Sequence, residues 1–561
     1  MKTRLQDWLT LQAGLRPDAV AVVYRGTSTT YEMLESASNR LARTLKAAGC
    51  APGDRVALLL SKSAEALIAM FGTLKADCIY VPVDTSNPCP RIESILRQSE
   101  CRCVVAEQSS AQLLSELVTS GAWPAATSLL WVDDGVDLPE VVETHFSRDE
   151  IASFSSAYVL SHSNPDDAAH ILFTSGSTGA PKGVVITHSN VVSFVQWAIK
   201  HFRIGSGDRL SGHPPLHFDL STFDIHGTIA AGAQIHLLPP EINLLPHRLA
   251  EFIRAAELTQ WFSVPSALRH MAKFDVIGWN DFPALRRLLW CGERFSTPDL
   301  RYWMQRLPHV AFVNLYGPTE ATIASSHYRV KQCPLDDQEE IPIGTACDGE
   351  SLLVLNEELK PAARGEIADL YITGVGLSPG YWRDASKTEQ VFLQNPYSPN
   401  PSSRIYNTGD LAKIGDDGSI YLVGRSDTQI KSRGYRIELG EIEAALSTIA
   451  GIEEAATVAI EESSIEGKTV CCAYVPLPGS GVVAATLKRQ LTRLLPRYMI
   501  PARWMLLERL PHNGNGKVDR KLLKEWFEQK ASADELMANA STKAQSRSKS
   551  HEDRTSRVRG A

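Results

Sequence analysis

A short stretch of hydroxyls, glycines and one lysine has the composition of a phosphate-binding loop. It runs from Thr174 to Gly183, between apolar runs at 171–173 and 184–186. Glycines let backbone amides approach an anion, hydroxyls add donors, and lysine supplies a positive charge. The stretch predicts a polyphosphate site, although a glycine-serine hairpin loop has a similar composition. The residues expected to make the contacts are Thr174, Ser175, Gly176, Ser177, Thr178, Gly179 and Lys182.

The spacing within this stretch differs from that of the nucleoside triphosphatase loop, Gly-x-x-x-x-Gly-Lys-Ser/Thr. Gly183 follows Lys182, so the hydroxyl that holds magnesium in that loop has no counterpart here. The sequence therefore predicts a phosphate loop of another kind, which the remaining chain must identify.

Size and composition restrict the class of protein. A chain of 561 residues exceeds what one core supports, so we expect two or more domains. Hydrophobic residues make up 43% and charged residues 22%, and the net charge of -7 gives no reason to expect nucleic acid as a partner. The ten cysteines form no repeated Cys-x-x-Cys pair, which favours reduced thiols. With no long apolar run, we expect a cytoplasmic protein that does not bind membranes.

The elements that must position the loop alternate between strand and helix patterns, which predicts an open α/β sheet. Strands at 285–290 and 311–314 each end in turn-type residues, where open α/β sheets bind ligands. From 341 to 421 short strands and Asp-Gly turns predict a small β region. A helix pattern at 439–448 begins a compact α+β unit, whereas the polar segment 143–166 is expected to be a surface connection.

These patterns predict a large N-terminal domain of two α/β sheet subdomains plus the β region, followed by a small α+β domain on a hinge. We expect the large domain to span residues 1–426 and the small, mobile domain residues 427–530. Residues 531–561 contain no Phe, Trp or Tyr and are rich in Ser, Ala, Lys and Arg, so this tail is expected to be disordered.

Seven motifs in one order give the chain a resemblance to the adenylate-forming enzymes. It most resembles the amino-acid adenylation domains of nonribosomal peptide synthetases and their stand-alone relatives, including D-alanine–carrier-protein ligases. The resemblance covers roughly residues 5 to 525. Its motifs are the phosphate loop, Phe218-Asp219-Leu220-Ser221, Asn314-Leu315-Tyr316-Gly317-Pro318-Thr319-Glu320, Tyr406-Asn407-Thr408-Gly409-Asp410, Gly424-Arg425-Ser426-Asp427, Arg433-Gly434-Tyr435-Arg436-Ile437-Glu438 and Asn513-Gly514-Asn515-Gly516-Lys517-Val518-Asp519-Arg520.

The resemblance implies a site for ATP. The phosphate loop would hold the β- and γ-phosphates, Tyr316 would stack on adenine, and Gly292 would allow close approach. Gly317 is also expected to bind ATP. Asp410 would accept hydrogen bonds from the ribose hydroxyls, and Arg425 would contact the same sugar. A turn-forming aspartate after Gly409 is the other interpretation of Asp410.

The resemblance also implies the catalytic residues. Attack of a carboxylate on the α-phosphorus brings two anions together, so the transition state needs positive charge. Lys517 would bridge the carboxylate and the α-phosphate, Thr319 would contact that phosphate, and Glu320 would bind Mg²⁺. A solvated surface lysine is the alternative for Lys517. No tightly bound organic cofactor is expected.

Asp219 decides the substrate class that the resemblance implies. An aspartate here pairs with the α-ammonium in the amino-acid-activating branch, and a buried carboxylate needs such a partner. The other interpretation of this aspartate is that it caps a helix that begins near Ser221. His217 could gate the carboxylate end of the pocket or simply pack there.

The pocket positions of the family align here with a set that has no charge. Large apolar members leave little volume, and polar side chains would be unpaired, so we expect alanine or a similar small amino acid, with proline next. Chirality cannot be read from the set. Its members are Leu220, Phe223, Ser263, Leu289, Cys291, Leu315, Ile323 and Ala324.

The family transfers the acyl group from the adenylate to a thiol. After Lys517 no Gly-Gly-x-Ser site for a phosphopantetheine arm follows, so the sequence predicts a stand-alone ligase that loads a separate carrier protein. Asp427 resembles the family's hinge, about which the small domain would rotate between the two steps. Lys517 would lie at the site during adenylation, and Gly434 would lie there during thioester formation. An acyl- or aryl-CoA ligase and a non-catalytic nucleotide-binding protein remain as alternatives.

Overall fold

The computed structural model describes residues 3–124, 127–133, 145–176, 179–461, 468–513 and 517–530. Ser177 and Thr178 of the phosphate loop and the tail at 531–561 lie outside the described residues. The helices are α1 Leu5–Leu15, α2 Tyr31–Ala47, α3 Ala64–Lys75, α4 Cys89–Ser99, α5 Ala111–Thr119, α6 Arg148–Ser153, α7 His188–Phe202, α8 Asp219–Ala231, α9 Pro246–Ala255, α10 Pro265–Lys273, α11 Thr297–Arg306, α12 Ala385–Val391, α13 Leu439–Ser447 and α14 Ala484–Leu491.

The strands belong to two large sheets and three small ones. They are β1 Val20–Tyr24, β2 Thr27–Thr30, β3 Arg55–Leu59, β4 Ile79–Pro82, β5 Cys101–Ala106, β6 Ser128–Trp131, β7 His145–Phe146, β8 Ala168–Thr174, β9 Lys182–Thr187, β10 Arg209–Gly212, β11 Gln234–Leu237, β12 Gln260–Ser263, β13 Arg287–Trp290, β14 Ala311–Tyr316, β15 Ser326–Val330, β16 Thr345–Ala346, β17 Glu350–Leu355, β18 Ala368–Gly374, β19 Gly380–Tyr381, β20 Phe392–Gln394, β21 Arg404–Ile414, β22 Ile420–Arg425, β23 Gln429–Ser432, β24 Tyr435–Glu438, β25 Ile452–Glu461, β26 Lys468–Pro476 and β27 Arg503–Leu506.

The first large sheet positions the phosphate loop. Its strand order is β19-β9-β8-β4-β3-β5-β6-β7. Strands β4, β3, β5 and β6 are parallel, whereas β8 and β9 form an antiparallel hairpin with Phe173 opposite Gly183. The loop at 174–182 therefore lies where β8 ends, beside the carboxyl ends of the parallel strands.

The second large sheet positions the substrate pocket. Its order is β16-β15-β14-β13-β12-β10-β11-β1-β2, and it is parallel from β14 to β1. Ser263 pairs with Trp290, and Trp290 pairs with Asn314. This register brings the ends of β12, β13 and β14 side by side, as expected for a ligand site at the carboxyl edge.

Helix α8 lies between these sheets and is buried along almost its whole length. All residues from 220 to 229 are buried, although Ser221, Thr222, Asp224, His226 and Thr228 are polar. One hydrophobic core joins both sheets through this helix, with Val56 and Tyr80 from the first and Leu210 and Phe262 from the second. The helix thus forms the rigid floor of the cleft.

A five-stranded antiparallel sheet, β17-β18-β21-β20 with β22 on β21, follows the two large sheets. The chain then forms the β23–β24 hairpin and a three-stranded sheet, β25-β26-β27, packed against α13 and α14. Residues 520–530 are helical. The predicted fold class is confirmed: two α/β sheets and a β region precede a smaller α+β domain, while the exact boundary at 426–427 stays a prediction.

The segment expected to be a surface connection is partly regular. Strand β7 extends the first large sheet, and α6 begins at a capping box in which Ser147 and Glu150 exchange hydrogen bonds. The predicted surface connection therefore contains a short strand and a short helix between residues 145 and 153, and no residue of α6 is buried. The polar composition hid the signal, because a six-residue helix is too short to show an apolar face.

Candidate active site

The phosphate loop has a conformation that depends on its glycines. A Cβ on Gly176 would lie 2.0 Å from the carbonyl oxygen of Ala180, so any side chain there would clash. Gly179 has a φ of +89°, a left-handed conformation that glycine adopts without strain. The hydroxyl of Thr174 is buried and has no hydrogen-bond partner among the described residues. The glycines thus determine the conformation of the loop, and the Thr174 hydroxyl is a donor without a partner among the described residues.

The small domain contacts this loop directly. Oγ of Ser175 donates to the carbonyl oxygen of Arg436 at 2.8 Å, and the amide of Gly176 donates to Oε2 of Glu441 at 3.3 Å. Glu441 also pairs with Arg91 from α4, and both side chains are buried. The loop is therefore held by residues 260 or more positions further along the chain.

Lys182 is the first residue of β9 and is buried. Its Nζ lies 3.3 Å from Oε1 of Glu320 and donates to the hydroxyl of Tyr381 at 3.2 Å. Burial, reinforced by the charge of Arg436, lowers the pKa of Lys182 to about 8 despite the opposing charge of Glu320. The predicted phosphate contact stays a prediction; in this arrangement the lysine is paired with a carboxylate.

Glu320 is fully buried among positive groups. Nη1 of Arg436 lies 2.9 Å from each of its carboxylate oxygens, and the hydroxyl of Tyr381 donates to Oε1 at 2.8 Å. Burial raises the pKa of Glu320, but the charges of Arg436 and Lys182 outweigh it and hold the pKa well below its usual range. The group is therefore an ionised carboxylate with both oxygens engaged.

These contacts decide whether a magnesium ion fits at Glu320 in this domain arrangement. A divalent cation needs carboxylate oxygen positions that no other cation occupies. Here Oε1 lies within 3.3 Å of Arg436, Lys182 and Tyr381, and Oε2 is bonded to Arg436. Among the described residues, no three His, Cys, Asp or Glu side chains are grouped to hold a metal. The site as arranged does not fit the ion.

The predicted nucleoside residues form one hydrogen-bonded group. The hydroxyl of Tyr316 donates to Oδ2 of Asp410 at 2.6 Å, and Nη1 of Arg425 lies 2.6 Å from Oδ1. Arg425 also binds Asp427 through Nε and Nη2, at 2.7 and 2.6 Å. Nζ of Lys431 lies 6.0 Å from the centre of the Tyr316 ring. The two carboxylates are thus joined by one guanidinium at the predicted domain boundary.

Asp219 is the first residue of α8 and faces the cleft. Its Oδ2 accepts a hydrogen bond from Oγ1 of Thr319 at 2.8 Å. Burial raises the pKa of Asp219 to about 6, although the Thr319 hydroxyl and the charge of Lys431 oppose this shift. Phe218, not Asp219, is the N-cap of the helix, so the capping interpretation of this aspartate is not supported.

The predicted apolar pocket residues come together. Seven of them are buried members of the core that joins the two sheets, and Ser263 is buried at the end of β12. Thr322 and Ile323 both have positive φ values, 56° and 71°, so the pocket wall makes a tight turn there. The seven are Leu220, Phe223, Leu289, Cys291, Leu315, Ile323 and Ala324.

Phe223, which is expected to line this pocket, is tightly packed. Its ring packs edge to face against Phe194 and Phe262, with ring centres 5.3 and 5.7 Å apart. A Cβ on Gly227, one helical turn further on, would lie 2.9 Å from the same ring. The phenyl group is therefore confined on several sides and cannot move aside for a large substrate.

One cavity collects eleven of the predicted site residues, whereas of the eight apolar pocket positions only Leu220 and Cys291 lie on its wall. Its wall includes Thr174, Ser175, His217, Asp219, Leu220, Cys291, Gly292, Gly317, Thr319, Asp410 and Arg425. Nε2 of His217 lies 3.6 Å from Oδ2 of Asp84, and burial lowers the pKa of the histidine. Both proposed roles of His217, gating and packing, are compatible with this position at the edge of the cavity.

Lys517 lies apart from that cavity. Its side chain is exposed, and its backbone exchanges hydrogen bonds with Asn513 at 3.1 and 2.8 Å. The described residues of the small domain that line the cavity are Gln429, Lys431, Gly434, Tyr435, Arg436 and Tyr498. This is the arrangement expected for the second orientation, with Gly434 at the site and Lys517 outside it.

Several site residues were missed by sequence reasoning. Tyr381 donates a hydrogen bond to Glu320, and Lys431 lines the cavity. Oε1 of Glu293 accepts a hydrogen bond from the amide of Gly434 at 2.6 Å. Arg436 belongs to a motif that the sequence identified, yet its partner is 116 residues away. Contacts between residues far apart in the chain assign these roles, so the sequence alone carries no signal for them.

The fold and the cavity define a class. A large domain of two α/β sheets, a phosphate loop at its cleft and a smaller domain closing over it make the chain an adenylate-forming enzyme. Residues 9–382 match the AMP-binding enzyme family and residues 441–517 the AMP-binding enzyme C-terminal domain. The chain belongs to this family. As a class, adenylate-forming enzymes use ATP with Mg²⁺.

The similar proteins support that placement. Tyrocidine synthase 3 of Brevibacillus parabrevis is 32% identical over 91% of this chain, which spans 7% of the synthase. An artificially fused adenylation–PCP di-domain from Klebsiella oxytoca superimposes with a TM-score of 0.75 at 25% identity, covering 90% of this chain and 94% of the other. The o-succinylbenzoate CoA synthetase of Bacillus subtilis shares the fold, with a TM-score of 0.78 at 20% identity over 92% and 98% of the two chains.

The fold therefore does not separate amino-acid activation from CoA-ligase chemistry, and the side chains of the pocket must do so. Among the described helices, none combines the length and the apolar character needed to cross a bilayer.

Proposed function

We propose that this chain activates a small apolar amino acid with ATP and transfers it to a thiol. In the first step a carboxylate oxygen attacks the α-phosphorus, and pyrophosphate leaves. In the second step a thiol sulfur attacks the acyl carbon and loses its proton, and AMP leaves. The thiol we propose is the phosphopantetheine arm of a separate carrier protein, so that the chain acts as an amino acid–carrier protein ligase.

The observation that carries the proposal is the position of Asp219. It is a carboxylate at the mouth of an apolar pocket, and Thr319 orients it by a 2.8 Å hydrogen bond. A buried carboxylate of this kind is stabilised by a cationic partner, and the α-ammonium of an amino acid provides one. A simple aryl or alkyl acid would leave the carboxylate unpaired, which disfavours the CoA-ligase alternative.

The pocket beyond Asp219 supports a small, uncharged side chain. We propose that Phe223 closes it, since Phe223, Leu289 and Leu315 are all buried in the same core. Polar substrate side chains would lose their hydrogen bonds to water without replacement. Alanine fits these restraints, and proline is the next candidate. Excluding one extra methylene provides only about 1–3 kcal/mol of discrimination, so related small residues should also react.

The phosphate end of the cavity supports the use of ATP. Thr174 and Ser175 lie on the same wall as Asp410 and Arg425, and the buried hydroxyl of Thr174 has no partner among the residues that the structure describes. We propose that the loop holds the leaving pyrophosphate and that the Tyr316–Asp410–Arg425 group binds the nucleoside. Lys517 is proposed to enter this cavity during adenylation, when the small domain rotates about Asp427.

The test is amino-acid-dependent exchange of labelled pyrophosphate into ATP, with a panel of amino acids and matched carboxylic acids. Exchange with alanine or another small apolar amino acid supports the proposal. Failure of every amino acid, together with exchange supported by an aryl or alkyl acid, would establish the CoA-ligase alternative instead. Absence of exchange with all acids would favour a non-catalytic nucleotide-binding protein.

A further inference from the structure

The small domain places a guanidinium against a carboxylate of the large domain. Arg436 lies on β24, and its Nη1 is 2.9 Å from both oxygens of Glu320. Its Nε donates to Oε1 of Gln429 at 2.7 Å, so the side chain is held from the strand beside it. Gln429 and Arg436 belong to one hairpin and move together with the small domain. The contact therefore forms and breaks with the orientation of that domain.

Glu320 has a second set of partners that do not depend on the small domain. Lys182 and Tyr381 both come from the large domain, at 3.3 and 2.8 Å from Oε1. When Arg436 is in place, the carboxylate faces two cations and a hydroxyl. When Arg436 leaves, Oε2 loses its bonded partner among the described residues and half of the carboxylate becomes available.

We propose that Arg436 occupies the cation position at Glu320, so that this guanidinium and a divalent metal ion exclude each other there. The inference rests on the proposed use of ATP and on the role that the family resemblance implies for Glu320, which is to bind the metal that accompanies ATP. In the orientation with Gly434 at the cavity, the carboxylate is neutralised by the protein itself. A divalent ion favours the orientation in which Arg436 has moved away.

The exclusion has a geometric and an electrostatic basis. Nη1 lies at hydrogen-bond distance from both oxygens, which is the space that a metal bound to either oxygen would need. A divalent ion added beside Arg436 and Lys182 would also place three cations around one carboxylate in a buried site. Such like charges repel strongly where water is excluded.

The consequence is a thermodynamic link between metal binding and domain orientation. Any group that binds only one of two states shifts the population toward that state. Because the link is reciprocal, removing Arg436 must strengthen metal binding as much as the metal weakens the docking of Arg436. The residue is thus a positioning residue for the transfer step and a competitor of the metal required earlier.

A binding measurement tests this link without turnover. Manganese(II) is titrated into the protein saturated with α,β-methylene-ATP, and free Mn²⁺ is measured by electron paramagnetic resonance. We expect Arg436→Met to bind the ion about tenfold more tightly than wild type, as is typical for coupled sites. Glu320→Gln should bind it more weakly, and the double variant should behave as Glu320→Gln does.

Arg520→Met is the matched control, because Arg520 is also a small-domain arginine in a two-point ion pair. Its partner is Glu443, at 2.6 and 2.8 Å, within the same domain. The Arg520→Met variant should have the same Mn²⁺ affinity as wild type. Arg436→Lys keeps the positive charge but lacks the planar guanidinium, so it should give an intermediate Mn²⁺ affinity. This variant replaces Arg436→Met in the test if Arg436→Met does not fold.

The outcomes separate the inference from the proposed function. If Glu320→Gln weakens Mn²⁺ binding but neither Arg436 variant strengthens it, the exclusion is refuted while the assignment of Glu320 stands. If Glu320→Gln leaves the affinity unchanged, Glu320 does not bind the metal and the proposed site is wrong. Tighter binding in Arg520→Met would point to a general charge effect and also refute the exclusion.

Discussion

Oγ1 of Thr319 lies 2.8 Å from Oδ2 of Asp219, so the proposed phosphate and amino-acid sites share a hydrogen bond. Thr319 follows β14, and Asp219 begins α8, one hundred residues earlier. The threonine that is expected to contact the α-phosphate therefore also orients the carboxylate that is expected to bind the α-ammonium. The side chain of Thr319 would therefore link the binding sites of ATP and the amino acid.

Asp219 predicts an acidic limit to amino-acid activation. Burial raises its pKa to about 6, and only the ionised form attracts an ammonium group. The value of kcat/KM for the amino acid reports groups of the free enzyme, so it should fall by about tenfold per pH unit below that pKa. In pyrophosphate exchange, Asp219→Asn should have low activity without this slope. A wild-type profile that stays flat from about pH 7 to pH 5 would contradict the assignment.

Phe223 predicts how selectivity can be changed. Because its ring is confined by Phe194 and Phe262, Phe223→Val should open a deeper pocket that accepts valine and leucine. We expect the preference for alanine over leucine to shift by about 1–3 kcal/mol, measured as the ratio of kcat/KM values.

The matched control is Phe527→Val, in a core of the small domain, which should lower stability without altering selectivity. Equal shifts in both variants, or none in Phe223→Val, would show that Phe223 does not limit the pocket.

Removing the side chain of Lys517 should impair adenylation but not thioester formation. That side chain is exposed, so Lys517→Ala should leave the thermal unfolding temperature unchanged. Pyrophosphate exchange should fall by about a hundredfold or more, because the charge that stabilises the transition state is lost. Thioester formation from preformed aminoacyl-AMP should continue. Lys521→Ala, another exposed lysine nearby, is the control, and equal loss in both assays would place Lys517 elsewhere in the mechanism.

Disrupting the buried Arg91–Glu441 pair should impair thioester transfer more than adenylation, the reverse of the effect expected for Lys517→Ala. The pair joins α4 to α13 and supports the contact between Glu441 and Gly176. Breaking one partner of a buried pair costs about 3–5 kcal/mol, and here the cost falls on domain docking. Arg91→Met should therefore slow thioester transfer more than pyrophosphate exchange, and Arg91→Met combined with Glu441→Met should restore part of the rate. Equal slowing of both steps would argue against a role in docking.

The sequence predicted the fold well because local patterns determine it. The alternation of apolar strands and helices is visible in the chain, and the motif at Asn314–Glu320 identifies the edge at which β14 ends. The helix α6 was missed because it is short and polar, and a capping box holds it in place of an apolar face.

The site was predicted less completely because its contacts cross domains. The pocket members from Leu220 to Ala324 were found by motif alignment, and the core brings seven of them together. The partners of Glu320 were not found, since Arg436 and Tyr381 meet it only in the folded chain. Which orientation the small domain adopts, and thus whether Lys517 or Gly434 faces the cavity, depends on the balance of those contacts.

Pyrophosphate exchange with alanine and with propionate tests the central claim most directly, because the two acids differ only by the amino group. With wild type we expect alanine to be preferred by about a hundredfold or more, as for a charge pair in a buried site. In Asp219→Asn the preference should collapse as alanine activity falls. Equal exchange with both acids in wild type, or an unchanged preference in Asp219→Asn, would contradict amino-acid recognition by Asp219.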